Sequence, residues 1–115
     1  MKQSNAKPVT FVGTSLDDLR DFPQAARRET GFQLDKVQHG EDPHDWKPMS
    51  SIGSGAFEIR VRDAGGAFRL IYVAKFSEAV YVLHAFQKKT RATARKDLEL
   101  AKDRYKEVLA SRKLS

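Results

Sequence analysis

Along one stretch of the chain, apolar and ionic side chains alternate: Phe57, Ile59 and Val61 interleave with Glu58, Arg60 and Arg62. In an extended strand such alternation sends the two sets to opposite faces. The apolar set is expected to bury itself against helices, leaving Glu58, Arg60 and Arg62 on the far side. Asp63-Ala64-Gly65-Gly66 is a tight-turn sequence, because glycine tolerates the positive φ that short hairpins need. It brings the next strand, with Arg69, alongside. Three arginines and a carboxylate on one sheet face suit a phosphate, since guanidinium forks match phosphate oxygens bidentately. A solvated outer sheet face carries similar charges. Ile71 and Val73 share the parity of Arg69, so this face mixes apolar and cationic groups, as a binding surface does.

Lys88, Lys89, Arg91, Arg95 and Lys96 follow where the last strand ends, five cations in nine residues. Beside the arginine face they extend a nucleic-acid groove; standing alone they would read as a solvated linker. His84 lies on that last strand with the parity of Val80, Val82 and Phe86. An imidazole titrating near neutrality can act as general acid or base, although a strand histidine among apolar neighbours is more often hydrogen-bonded structure. His39, Glu41, Asp42 and His44 carry metal-type donors at no ligand spacing, so no metal site is assigned. Gly53-Ser54-Gly55 and Gly65-Gly66 read as turns rather than phosphate cradles, and no cofactor is called for. Tyr72 and Tyr81 read as strand packing residues, and Trp46 as a loop anchor.

These residues need a scaffold, and 115 residues at 40% hydrophobic composition fit one domain with a modest core. The absence of cysteine excludes a disulfide framework, a thiolate nucleophile and a cysteine zinc site, and fits a reducing cytosol. No apolar run is long enough to span a membrane. Met1–Lys7 has no apolar stretch behind it and reads as a disordered tail rather than a signal peptide, with residues 8–115 as the single domain. The net charge of +6 is uneven: residues 1–87 hold eleven basic and eleven acidic side chains, and residues 88–115 hold ten and four. That asymmetry favours a polyanionic partner.

The expected elements run β-α-α-β-β-β-α. Pro8–Val12 is a short strand ending at Gly13. Thr14 or Ser15 caps a first helix carrying Leu16, Leu19 and Phe22, and Pro23 opens a second. Ala26, Phe32 or Leu34, and Val37 mark its apolar stripe. Glu41–Ser54, with two prolines, is a loop. Ala56–Arg62, Phe68–Lys75 and Ala79–Phe86 form an antiparallel meander, with the first strand free to join at an edge. A last helix from about Ala94 to Arg112, capped by Thr93, buries Leu98, Ala101, Tyr105 and Val108 or Leu109. The fold class is α+β, a helical hairpin packed on a small twisted antiparallel sheet with a C-terminal helix.

Phe57–Tyr72 (FEIRVRDAGGAFRLIY), Val80–Thr90 (VYVLHAFQKKT) and the Leu-Glu-Leu-Ala-Lys helix together resemble the RelE/ParE toxin superfamily. More narrowly they are similar to the phage-derived, HigB-like host-inhibition toxins of type II toxin–antitoxin pairs. The resemblance runs from the first strand through the last helix. It implies a metal-independent endoribonuclease that enters the ribosomal A site and cuts messenger RNA. The ParE branch of the same fold instead poisons DNA gyrase. On this resemblance Arg69 falls on the arginine that stabilises the phosphate, Arg60 on a basic strand position, and Lys88 near the basic residue after the last strand. Glu58 stands where RelE has lysine and Ala94 where it has a catalytic tyrosine, which leaves Glu58 or His84 to move protons. Arg62, Lys88, Lys89, Arg91 and Arg95 would hold RNA.

The expected partners are messenger RNA on the ribosome and a cognate antitoxin, a small helix-turn-helix protein. It would dock on the mixed sheet face or on the acidic stretch Asp17–Asp45. The rival functions are a gyrase-type protein inhibitor and a non-catalytic RNA-binding module. On the nuclease reading, Arg69→Ala abolishes toxicity and leaves the fold intact.

Overall fold

A computed structural model describes residues 6–114. The tail expected over residues 1–7 lies outside the described residues as far as residue 5. Lys7, by contrast, is tied down: its N–H donates to the Gln38 carbonyl and its ammonium to the carbonyls of Ala74 and Phe76.

Strand β1 (Val9–Phe11) stops before Gly13, whose φ of +58° turns the chain into helix α1 (Ser15–Arg20). The Thr14 hydroxyl donates to the Asp18 carboxylate, 2.9 Å, so it does not cap a backbone N–H as expected. Pro23 immediately precedes helix α2 (Gln24–Gln38). Its inward stripe is Ala26, Thr30, Leu34 and Val37, and the open choice falls to Leu34, since Phe32 points outward. The expected 41–54 loop contains a short strand, β2 (Trp46–Pro48). Proline hides such a strand from sequence reading, yet an edge position tolerates its missing N–H. Strands β3 (Ala56–Asp63), β4 (Gly66–Val73) and β5 (Val80–Lys88) form the meander, and helix α3 (Arg95–Leu114) ends the chain.

The five strands lie in the order β1-β5-β4-β3-β2. All neighbours are antiparallel except β1, which runs parallel to β5. The long connection between them supplies the crossover that parallel pairing requires. One face is covered by α1 and α2, where Leu19, Phe22, Ala26, Leu34 and Val37 pack on Ile59, Val61, Leu70 and Val82. The other is covered by α3, where Ala101, Tyr105 and Val108 pack on Ile71, Val73 and Leu83. Ile71 and Val73, expected to belong to an open mixed face, therefore lie in a second core.

The strand register contains one irregularity with consequences. Ile71 pairs with His84 but Tyr72 pairs with Val82, so Leu83 is an extra residue in β5. Val80 and Val82 consequently face the helical hairpin, while His84 and Phe86 face α3. The expectation that these four share a face fails because the bulge reverses the parity. Buried Arg104 of α3 secures this point, donating from Nη1 to the Leu83 carbonyl (2.9 Å) and from Nη2 to Thr14 Oγ1 (3.0 Å). At the far end of α3, Arg112 donates to both Glu78 oxygens (2.6 and 3.2 Å) and lies 3.8 Å over the Phe76 ring.

Two outcomes test these contacts. A Cβ at Gly13 would lie 2.7 Å from Arg104 Nε on a left-handed backbone, so Gly13→Ala should lower unfolding free energy by more than about 1 kcal/mol in urea titration. The Arg112 hydrogen bonds, foremost, hold the Glu78 carboxyl down to about 2, below its ordinary 4.5. A carboxyl depressed on folding stabilises above its unfolded value, so this contribution is lost as pH falls from 4.5 toward 2. Thermal midpoints of Glu78→Gln should fall less steeply than wild type across that window.

Candidate nucleic-acid interface

Helix α3 roofs only part of its sheet face, and the ionic residues gather where the roof ends. Cross-strand pairing sets them in rows: Lys47, Glu58, Ile71 and His84 in one, Arg60, Arg69 and Phe86 in the next, then Arg62, Ala67 and Lys88. Partners in a row share a face, so the expected union of Glu58, Arg60, Arg62 and Arg69 is realised. Lys88 joins them from the end of β5.

These residues border two hollows. A groove of about 380 Å³ is lined by Lys47, Glu58, Arg60, Lys88 and Arg91, with Ser50, Ser51 and Thr93 along its sides. A smaller recess of about 110 Å³ lies between Asp45, Arg60, Arg62 and Arg69. Arg60 belongs to both. Six cations face two carboxylates across this surface, which gives it a net positive field suited to an anion.

Glu58 and Arg69 form the buried floor, each side chain 3% exposed, with Arg69 Nε 3.4 Å from Glu58 Oε1. The alignment is too poor for a hydrogen bond, and among the described residues neither Arg69 Nε nor Glu58 Oε2 has a hydrogen-bond partner. Arg69 Nη1 donates to the Phe68 carbonyl, 3.0 Å. Burial, the largest influence, lowers the Arg69 pKa; Glu58 opposes this, and Arg60 and Arg62 push it further down. Lys88 is lowered likewise, first by burial and then by Arg69, which loosens its proton. Glu58 Oε2 is thus an unbonded acceptor among cations that need an anion.

The other expected site residues are placed as follows. His84 Nε2 donates to Asp97 Oδ1 of α3 at 2.8 Å, its ring stacks on Phe86, and it does not line the groove of Glu58 and Arg60. Lys89 borders a separate hollow with Lys88 and Lys96. Arg95 points to solvent, 91% exposed, and pairs with Glu99. Tyr72 is buried in the hairpin-side core, where loss of water, ahead of Asp42, raises its hydroxyl to about 12. Tyr81 donates to Glu78. Trp46 stands edge-on to Phe57 at the sheet margin, while Met49 and Ile52 anchor the loop.

Sequence reasoning missed Lys47 and Asp97. Lys47 was hidden by the proline-flanked strand that carries it. The usable signal for Asp97 was an acid in the first turn of a helix following a strand histidine.

A sheet between a helical hairpin and one long helix, open at a cationic end, defines a RelE-type fold with a cationic groove. A solved structure of the E. coli toxin RelE, an arginine double mutant in the free state, matches it with a TM-score of 0.62. The match covers 90% of this chain and 98% of that one, at 16% identity. The family model "Phage derived protein Gp49-like (DUF891)" matches residues 17–106, and the chain belongs to that family, one of the RelE toxin type. No curated protein sequence matches the chain. The superfamily resemblance and the α+β class read from the sequence both hold.

The buried floor revises one expectation. Arg69→Ala would strand a buried carboxylate without its partner, so the variant is expected to be destabilised rather than unaffected. Breaking such a pair costs about 3–5 kcal/mol, whereas replacing both partners with apolar groups is often neutral. Urea unfolding should show Arg69→Ala strongly destabilised and the Glu58→Leu/Arg69→Met double variant largely restored.

Proposed function

We propose that this chain is the toxin of a toxin–antitoxin pair, a HigB-like host-inhibition type, and that it cuts messenger RNA on the ribosome. The observation that carries the reading is the groove itself, where Lys47, Arg60, Lys88 and Arg91 surround Glu58, the one carboxylate in its lining, whose buried Oε2 is unbonded.

The chemistry is in-line transfer within RNA. Glu58 takes the proton of a 2′-hydroxyl, O2′ bonds to the adjacent phosphorus, and the P–O5′ bond breaks. Lys88 gives its loosened proton to O5′, leaving a 2′,3′-cyclic phosphate and a 5′-hydroxyl. Arg60 stabilises the charge on the phosphorane from the groove wall, with Arg69 behind it, and a preorganised donor of this kind is worth roughly 10²–10³ in rate. Arg62 and Arg91 hold flanking phosphates. His84, which does not line this groove, is assigned no proton transfer in this scheme. The open groove holds RNA loosely, so alignment for attack falls to the ribosome that presents the message. No metal or cofactor enters this scheme.

A toxin acting on translating ribosomes works in the cytoplasm and needs a neutralising partner. We assign that role to a cognate helix-turn-helix antitoxin. Fold alone does not choose between nuclease and gyrase poison; the groove's composition favours the nuclease.

Inducing the protein in growing cells and mapping new 5′ ends provides the test. Wild type should create cuts confined to translated regions. Arg60→Ala and Lys88→Ala, which leave the buried pair in place, should reduce those cuts by about 10²-fold or more while melting normally. Growth arrest without new 5′ ends would contradict the reading and turn the search to a protein target such as gyrase.

A further inference from the structure

A third hollow, of about 450 Å³, shares Lys88 with the groove. Its volume falls within the roughly 300–1,000 Å³ typical of small-ligand sites. Its walls include Lys88, Lys89, Lys96 and Asp97, with Phe86, Gln87, Thr90 and Ala94 between them. Three lysines suit a phosphate, but a carboxylate in the same wall would repel one. Asp97 is only 15% exposed and is held by His84, which is itself 8% exposed and bonds Oδ1. His84 in turn stacks against Phe86, with ring centroids 4.9 Å apart. With Asp97 so fixed beside three lysines, the hollow is matched best by a ligand that brings hydrogen-bond donors as well as negative charge.

Among RNA components, a guanine nucleotide does so. Guanine presents two adjacent donors, N1–H and the N2 amino group, which a carboxylate can accept together. Adenine and cytosine set an acceptor beside their amino donor, and uracil flanks its N3–H with two acceptors, so each meets repulsion. We propose that this hollow is a guanine-reading subsite: Asp97 accepts from the base edge, His84 positions Asp97, and Lys89 and Lys96 take the phosphate. The inference rests on the RNA-cleaving reading for its biological meaning, since Lys88 is common to both hollows and would place the guanine close to the cut. The binding itself can be measured without cleavage.

The test titrates the full chain with the four nucleoside 5′-monophosphates and with inorganic phosphate, following imidazole and amide resonances by NMR. Guanosine monophosphate should bind about tenfold or more tightly than the other three, the discrimination expected of a good bidentate base contact. Asp97→Asn, which presents one acceptor and one donor, should abolish that preference. Ala94→Phe puts a ring into the hollow while keeping both members of the Asp97–His84 pair, so it should block nucleotide binding even if Asp97→Asn folds poorly. Equal affinities for the four nucleotides, or guanosine monophosphate binding unchanged in Ala94→Phe, would overturn the proposal. Guanine preference in a protein that cuts no message would uphold the subsite and sink the nuclease reading. Message cutting by a protein that binds all four nucleotides alike would do the reverse.

Discussion

A sheet that must be covered on both faces, by two covers of unequal reach, sets the rest of this structure. The helical hairpin spans its side from Ile59 to Val82, while on the other side α3 packs on a cluster centred on Ile71, Val73 and Leu83. Where α3 stops, the strands still present inward-parity residues, and these are Glu58, Arg60, Arg69 and Lys88. The pair at the boundary is the costly one. Arg69 and Glu58 are both withdrawn from water yet imperfectly bonded to each other, and buried charges are tolerated only with compensation nearby. An anion drawn into the adjoining groove would supply part of that compensation, which ties the chemistry of the site to the stability of the floor beneath it.

The position of α3 depends on a local defect in the sheet. The extra residue at Leu83 turns His84 toward α3 and leaves the Leu83 carbonyl for Arg104. Arg104 reaches on to Thr14, so one side chain joins α3, β5 and the start of α1. The His84–Asp97 bond fixes the first turn of α3, and the Arg112–Glu78 contact fixes its last. These contacts, with Tyr105 donating to the Ser54 carbonyl, hold one helix along its length and so set where its roof ends and the groove begins.

Much of this was legible because a strand's period of two is unambiguous wherever ionic and apolar residues alternate strictly. Glu58, Arg60 and Arg62 could be assigned to one face from Phe57–Arg62 alone, and the glycine turn then placed Arg69 beside them. The same rule failed at His84, because a bulge leaves no mark in side-chain pattern and one extra residue inverts every parity beyond it. Lys47 was missed because Pro48 denies the interior of a sheet but not its edge. The structural role of Arg69 was invisible for another reason: burial of an arginine depends on what covers the sheet, and the apolar stripe of α3 does not say how far along the strands it reaches. The family and the fold were recoverable from the order and spacing of motifs; proton-transfer roles were not, since Glu58 and Ala94 depart from the RelE pattern at those positions.

On the proposed function, the open end of this sheet cuts RNA by its own side chains when a ribosome presents the message. A reconstituted translation reaction puts this to the test, with purified protein added to one defined message with and without ribosomes, and the ends of any fragments identified. Fragments bearing 2′,3′-cyclic phosphate and 5′-hydroxyl ends should appear only with ribosomes. An intact message under both conditions, from protein that still arrests growth in cells, would contradict it.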